Sequence, residues 1–145
     1  MFVPTGKSSE ESISAFEREI QFRLPDDYRA FLRDTNGGVC QHALIRPQRP
    51  GELLIDCLFG LGVKDEMDLR FWYNEMKGDV PEKSLIIGSD AGGGFLLLSI
   101  ETNLEGIYYY DHSYSFPTST DNENTYLIYP SFSELFSQIL QHGKV

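Results

Sequence analysis

Three parts of the chain carry residue types that could do chemistry. The first is GSDAGGGFLLLSIE, residues 88–101. Consecutive glycines can cradle a phosphate on bare backbone amides. That use needs Gly-x4-Gly-Lys-Ser/Thr running into a helix, because the lysine and the helix N-terminus neutralise the anion. Here Gly94 runs directly into Phe95 and three leucines, a strand pattern, with no lysine nearby and with Asp90 placed to repel an anion. A dinucleotide-binding fingerprint fails on the same missing helix. Asp90, Gly92, Gly93 and Gly94 therefore read as a fold-defining turn between two strands, with no cofactor to hold.

The second part is Asp111-His112, the best acid–base or metal candidate. Neighbours in a strand point to opposite faces, so the pair shares one site only if the strand has ended. The other imidazoles, His42 and His142, stand in no ligand spacing, and a zinc site needs three or four convergent ligands. The third is the thiol pair Cys40 and Cys57. Neither has a CxxC partner or a positive neighbour to lower its pKa, and no G-x-S-x-G is present. They read as buried thiols in a reducing compartment. No catalytic, cofactor-binding or metal-ligating set emerges, and the expectation is a protein that is not an enzyme.

What remains is charge and aromatic surface. The formal charge is -10, and its distribution says more than its sum: from Ser84 through Gly143 there is no Lys or Arg. The same stretch holds Asp90, Glu101, Glu105, Asp111, Asp121, Glu123 and Glu134. Such a surface repels nucleic acid and anionic membrane and attracts a basic partner. Acidity also serves solubility alone, and the composition does not separate the two. Tyr108, Tyr109, Tyr110, Tyr114 and Tyr126 lie in this stretch. Some belong to the core; the rest flank an acidic loop, and tyrosines ringed by charge anchor tight protein interfaces. The candidate partner-binding residues are Asp111, His112, Tyr114, Asp121, Glu123 and Tyr126.

Positioning these residues falls to elements that the pattern of apolar residues predicts. The chain of 145 residues is expected to form one domain over 1–145. Ser9–Phe22 carries Ile13, Phe16 and Ile20 at helical spacing. In LPDDYRAFLRDTNGG, Pro25 suits the first helical position, Asp26 and Asp27 suit the dipole, and Asn36-Gly37-Gly38 supplies a left-handed stop. GVCQHALIRPQRPGE reads as a loop or an edge strand because of its two prolines. LLIDCLFGLG reads as a strand. A helix follows from about Asp65, its candidate cap, to Lys77, with Leu69, Trp72, Tyr73 and Met76 inward. SLIIGS, FLLLSI and GIYYYDH read as strands, the last two joined by the hairpin ETNLEG. Residues 113–125 read as a loop and YLIYP as a last short strand. Ser131 and Glu134 make a capping box for a closing helix with Phe132, Leu135, Phe136, Ile139 and Leu140 inward. The sum is an α+β domain on a mostly antiparallel sheet flanked by N-terminal and C-terminal helices. The N-terminus lacks a signal-peptide pattern and no apolar run could span a bilayer, so a cytoplasmic location is expected.

Four segments resemble motifs of the SUKH superfamily. LPDDYRAFLRDTNGG resembles its L-P-x-D-Y/F-x-x-F-L-x-x-N-G-G segment, and LIIGSDAGGGFLLLSI its I-G-x-D-x-G-G strand pair. GIYYYDH is similar to its G-x-V-Y-x-(W/Y)-D-H strand, and SFSELFSQIL to its closing helix. They occur in the family's order over nearly the whole chain, and the branch named for the fungal regulators Smi and Knr resembles this chain most. The resemblance implies an antiparallel-dominated sheet flanked by helices and a function by binding. Most bacterial members are immunity proteins that neutralise a cognate toxin domain, often a nuclease, in polymorphic toxin or contact-dependent inhibition systems. The alternative it implies is a regulatory scaffold, as in the fungal branch. The family's glycine turn falls on Gly92, Gly93 and Gly94, and its aspartates on Asp90 and Asp111.

Overall fold

A computed structural model describes residues 2–111 and 125–142, the side chains of His42 and His142 excepted. Among the described residues, seven strands form one sheet in sequence order: β1 (Phe2–Pro4), β2 (Gly38–Ile45), β3 (Leu53–Leu58), β4 (Ser84–Asp90), β5 (Phe95–Ser99), β6 (Gly106–Tyr110) and β7 (Thr125–Tyr129). Every pairing among them is antiparallel. Helices α1 (Glu10–Ile20), α2 (Asp26–Asp34), α3 (Leu69–Met76) and α4 (Phe132–His142) complete a single α+β domain.

The helices begin and end where local chemistry directs. Ser9 caps α1 by accepting from the Ser12 N–H, and Gln21 ends it in the left-handed region at φ 65°. Ile13, Phe16 and Ile20 are all buried. Pro25 lies just outside α2 rather than in its first helical position, with ψ 150°. A proline there leaves the first helical N–H groups to side chains, and Asp27 accepts from the Tyr28 N–H. The candidate cap Asp65 instead opens a short 3-10 turn, Asp65–Met67, and α3 is capped by Asp68, whose Oδ1 accepts from the Arg70 N–H. The Asp68 Oδ2 also accepts from Gly62 and Val63, so this carboxylate ties the preceding loop to the helix. In α4, Ser131 accepts from the Glu134 N–H, while Asp27 reaches across from α2 to take the Ser133 N–H and hydroxyl. Leu140, expected inward, is 41% exposed, although Ile139 beside it is fully buried, so it lies off the helix's inward face.

One correction concerns β2. The stretch starting at Gly38 is neither a loop nor an edge: β2 lies between β1 and β3. Pro47 and Pro50 fall after Ile45, outside the strand, so they remove no ladder hydrogen bond from it. The edge position is taken by β1, a three-residue strand.

Two layers cover the sheet. On one face, Phe2 pairs in register with Cys40, and its ring meets Phe31 of α2 at 6.2 Å and Phe136 of α4 at 5.1 Å. Tyr28, Phe31, Phe132 and Phe136 extend this aromatic cluster between the two helices. Elsewhere α3 lays Trp72 on Phe59 (5.6 Å) and on Phe95 of β5 (4.9 Å). Trp72 is half-buried against the core, and its Nε1 donates to the Glu66 carbonyl.

Candidate binding surface

The glycine-rich turn between β4 and β5 is closed by its own groups. Asp90 and Gly94 exchange backbone hydrogen bonds with the turn, the Asp90 N–H donating to the Gly94 carbonyl and the Gly93 N–H to the Asp90 carbonyl. The Asp90 carboxylate accepts the Gly94 N–H at 2.6 Å on Oδ1 and the Tyr109 hydroxyl at 3.1 Å on Oδ2. Gly93 holds φ +91°, which only glycine adopts without strain. A Cβ on Gly94 would run into the Tyr109 ring, with Cε1 2.6 Å away. Gly92 has no such constraint: its nearest neighbour is the Asp90 carboxylate at 3.5 Å. The Gly93 and Gly94 amides are turned to Asp90 and the Ala91 amide donates to the Leu54 carbonyl, so these three are not offered to a phosphate.

The sequence candidates for partner contact are only partly in view. Asp111 lies one residue past the end of β6 and is half-buried; Tyr126 is half-buried in β7, opposite Tyr109. Asp111 and Tyr126 therefore sit at the same end of the β6–β7 pair. His112, Tyr114, Asp121 and Glu123 lie outside the described residues. Of the remaining tyrosines, Tyr109 and Tyr110 are core and Tyr108 is half-buried. Burial, then the neighbouring Asp90 carboxylate, holds the Tyr109 phenol proton well above its ordinary range.

Charge is arranged differently in the two halves of the chain. Before Ser84 five of the seven arginines meet carboxylates of the same chain. Arg29 reaches Glu17 at 3.1 Å and Glu10 at 2.8 Å, binding α2 to α1, and its hydrogen bonds to Glu10 hold that carboxyl below its usual range. Arg23, Arg33, Arg46 and Arg70 each meet a carboxylate as well. Among the described residues no ion pair reaches Glu101, Glu105 or Glu134. The base-free half of the chain thus keeps its negative potential, while the other half largely cancels its own.

Sequence reasoning missed a second feature of that half. Leu104, in the turn between β5 and β6, is 54% exposed, and Leu127 of β7 is 55% exposed. Tyr108 lies between them, paired in register with Leu127 and donating its hydroxyl hydrogen to the Leu104 carbonyl at 3.0 Å. The signal was a lone leucine among polar turn residues in ETNLEG. Leu127 could not be found that way, because its exposure depends on which face of the strand it takes.

Both thiols are free and buried. Burial raises the Cys57 pKa against a hydrogen bond to Ser89 that lowers it, and pushes Cys40 up to about 12. Among the described residues no group of three His, Cys, Asp or Glu side chains could hold a metal ion, and no helix is long and apolar enough to cross a membrane.

The chain matches the SMI1/KNR4 family (SUKH-1) over residues 7–138, and it belongs to that family. No curated protein matches it. Membership is typical of immunity proteins, which are generally non-catalytic.

Proposed function

We propose that this protein is an immunity protein that binds a cognate, basic toxin domain, such as a nuclease, and blocks its active site without performing chemistry. The observation that carries the reading is the charge asymmetry of a family member: β4–β7 and α4 contain no Lys or Arg, while five of the seven arginines of the other half pair with carboxylates of the chain. Long-range attraction to a basic partner speeds encounter, and aromatic anchors then slow release. A nuclease has a basic cleft because its substrate is a polyanion. An acidic cover can occupy that cleft by mimicking the charge of the substrate.

The contact residues in this reading are Asp111, His112, Tyr114, Asp121, Glu123 and Tyr126. No cofactor or metal enters, and nucleic acid and membrane are not partners. The reading expects a gene for a large secreted protein beside that of this chain, and the experiment uses the C-terminal toxin domain encoded there. Co-expression should restore growth and yield a stoichiometric complex with the toxin activity silenced. A toxin that stays active in a stable complex, or no complex at all, would overturn the reading in favour of a regulatory scaffold.

A further inference from the structure

We infer that the turn between β5 and β6 is a docking surface for an extended, basic segment of the partner, with an apolar side chain of that segment covering Leu104, Tyr108 and Leu127. This rests on the binding function proposed above and adds a contact at the opposite end of β6 from Asp111 and Tyr126.

Three observations carry it. First, Leu104 and Leu127 are the two most exposed large hydrophobic residues among those described, and they flank Tyr108 on one surface. Scattered exposed leucines are ordinary; two beside one tyrosine, Leu127 as its strand partner and Leu104 with it in the wall of one hollow, form a patch. The patch continues over Gly106, where a Cβ would lie 2.8 Å from the Leu127 Cδ1, so glycine lets Leu127 lie flat against the strand. Second, each side of the turn is concave. One hollow, of about 350 Å³, is lined by Leu97, Leu104 and Tyr108. The other, of about 460 Å³, lies between the turn and the start of α2, with Leu24, Ile100 and Phe132 in its wall.

Third, the charge at this second hollow is net negative and suits a cation. Asp26, Asp27 and Glu105 line it against a single base, Arg23. Asp27 is occupied by Ser133, and Asp26 is held by Arg23 at 3.3 Å, a pair exposed on both sides and weak for that reason. Glu105 has no ion-pair partner among the described residues. A Lys or Arg side chain has the matching shape, an apolar stem for the wall and a charged head for Glu105 and Asp26. A second copy of this chain fits poorly, since it would set Glu101 and Glu105 against the same two acids.

The test is an NMR titration of the full ¹⁵N-labelled chain with the synthetic peptide Lys-Leu-Arg-Leu-Lys, using Glu-Leu-Gln-Leu-Glu as control. Saturable shifts are expected at Leu98–Gly106, Tyr108 and Leu127 with the basic peptide alone. Leu104→Ser and Glu105→Gln should each weaken it by roughly fivefold. Shifts centred instead on Asp111 and Tyr126 would overturn this placement and leave the binding function standing. Absence of any saturable shift would also overturn it, with toxin neutralisation deciding the function separately. Concentration-dependent self-association through the turn, lost in Leu104→Ser, would show that a second copy covers the patch.

Discussion

The sheet has two turns on neighbouring strand pairs that spend their polar groups in opposite ways. In the β4–β5 turn, the Asp90 carboxylate takes Gly94 and Tyr109, Gly93 supplies the backbone conformation, and Gly94 leaves room for a phenol. The Ala91, Gly93 and Gly94 amides all donate within the chain. In the β5–β6 turn, the backbone closes through the Leu104 N–H and the Glu101 carbonyl, while Leu104 and Glu105 face outward. The turn that looks like a phosphate cradle in sequence is architecture. The ordinary-looking one is available surface.

That contrast can be broken most forcefully at Gly94. Gly94→Ala forces a methyl into Tyr109 and should cost about 2–3 kcal/mol in urea unfolding, while Gly92→Ala should stay within about 0.5 kcal/mol. Equal costs at the two positions would mean the Tyr109 contact does not set the turn. Asp90→Ala strands the Gly94 amide and the Tyr109 hydroxyl, an expected loss of about 2 kcal/mol. In Tyr109→Phe the same aspartate change should cost less, and a double-mutant cycle reads the coupling directly.

A smaller and graded effect comes from alkali. Cys40, Cys57, Tyr108, Tyr109 and Tyr129 all have folded-state pKa values raised, with burial as the leading cause. The neutral acid is then the form the fold favours. The unfolded chain releases these protons first, so stability is full below the ordinary thiol range and falls as pH rises through it. A loss of about 1 kcal/mol is expected by pH about 10, and unfolding midpoints across a pH series would measure it. A flat profile would mean these groups are solvated in the fold. The smallest effect sharpens the other side of the comparison: Leu104→Ser and Glu105→Gln should move stability by no more than about 0.5 kcal/mol, checked by thermal melting.

Much of this fold was legible because its signals are local. The helical spacing of Ile13, Phe16 and Ile20, the Ser131 box and the strand runs 84–89 and 95–100 need only near neighbours to be read. Elements fixed by pairing were not. The short β1 has meaning only as a partner of β2, and β2 is internal only because β1 lies beside it. The prolines at 47 and 50 coloured a whole stretch although the strand ends at Ile45. Asp68 outcompetes Asp65 as a cap because it also serves the Gly62 and Val63 amides, a loop geometry no spacing reveals. For the binding surface, composition located the base-free half, but register decides that Tyr109 is core while Leu127 is exposed.

The central claim is that the base-free half captures a basic partner while the glycine turn only supports the fold. Its most direct test is the association rate of the cognate toxin domain, followed across a salt series. Three proteins are compared: the native chain, the double reversal Asp121→Lys with Glu123→Lys, and Gly93→Ala. The account predicts slower association and a flatter salt dependence for the reversal at unchanged melting temperature. For Gly93→Ala it predicts a lower melting temperature, by about 1 kcal/mol of stability, with the association rate of the folded protein unchanged. Native association that ignores salt, or a Gly93→Ala protein that folds well yet no longer binds, would contradict it.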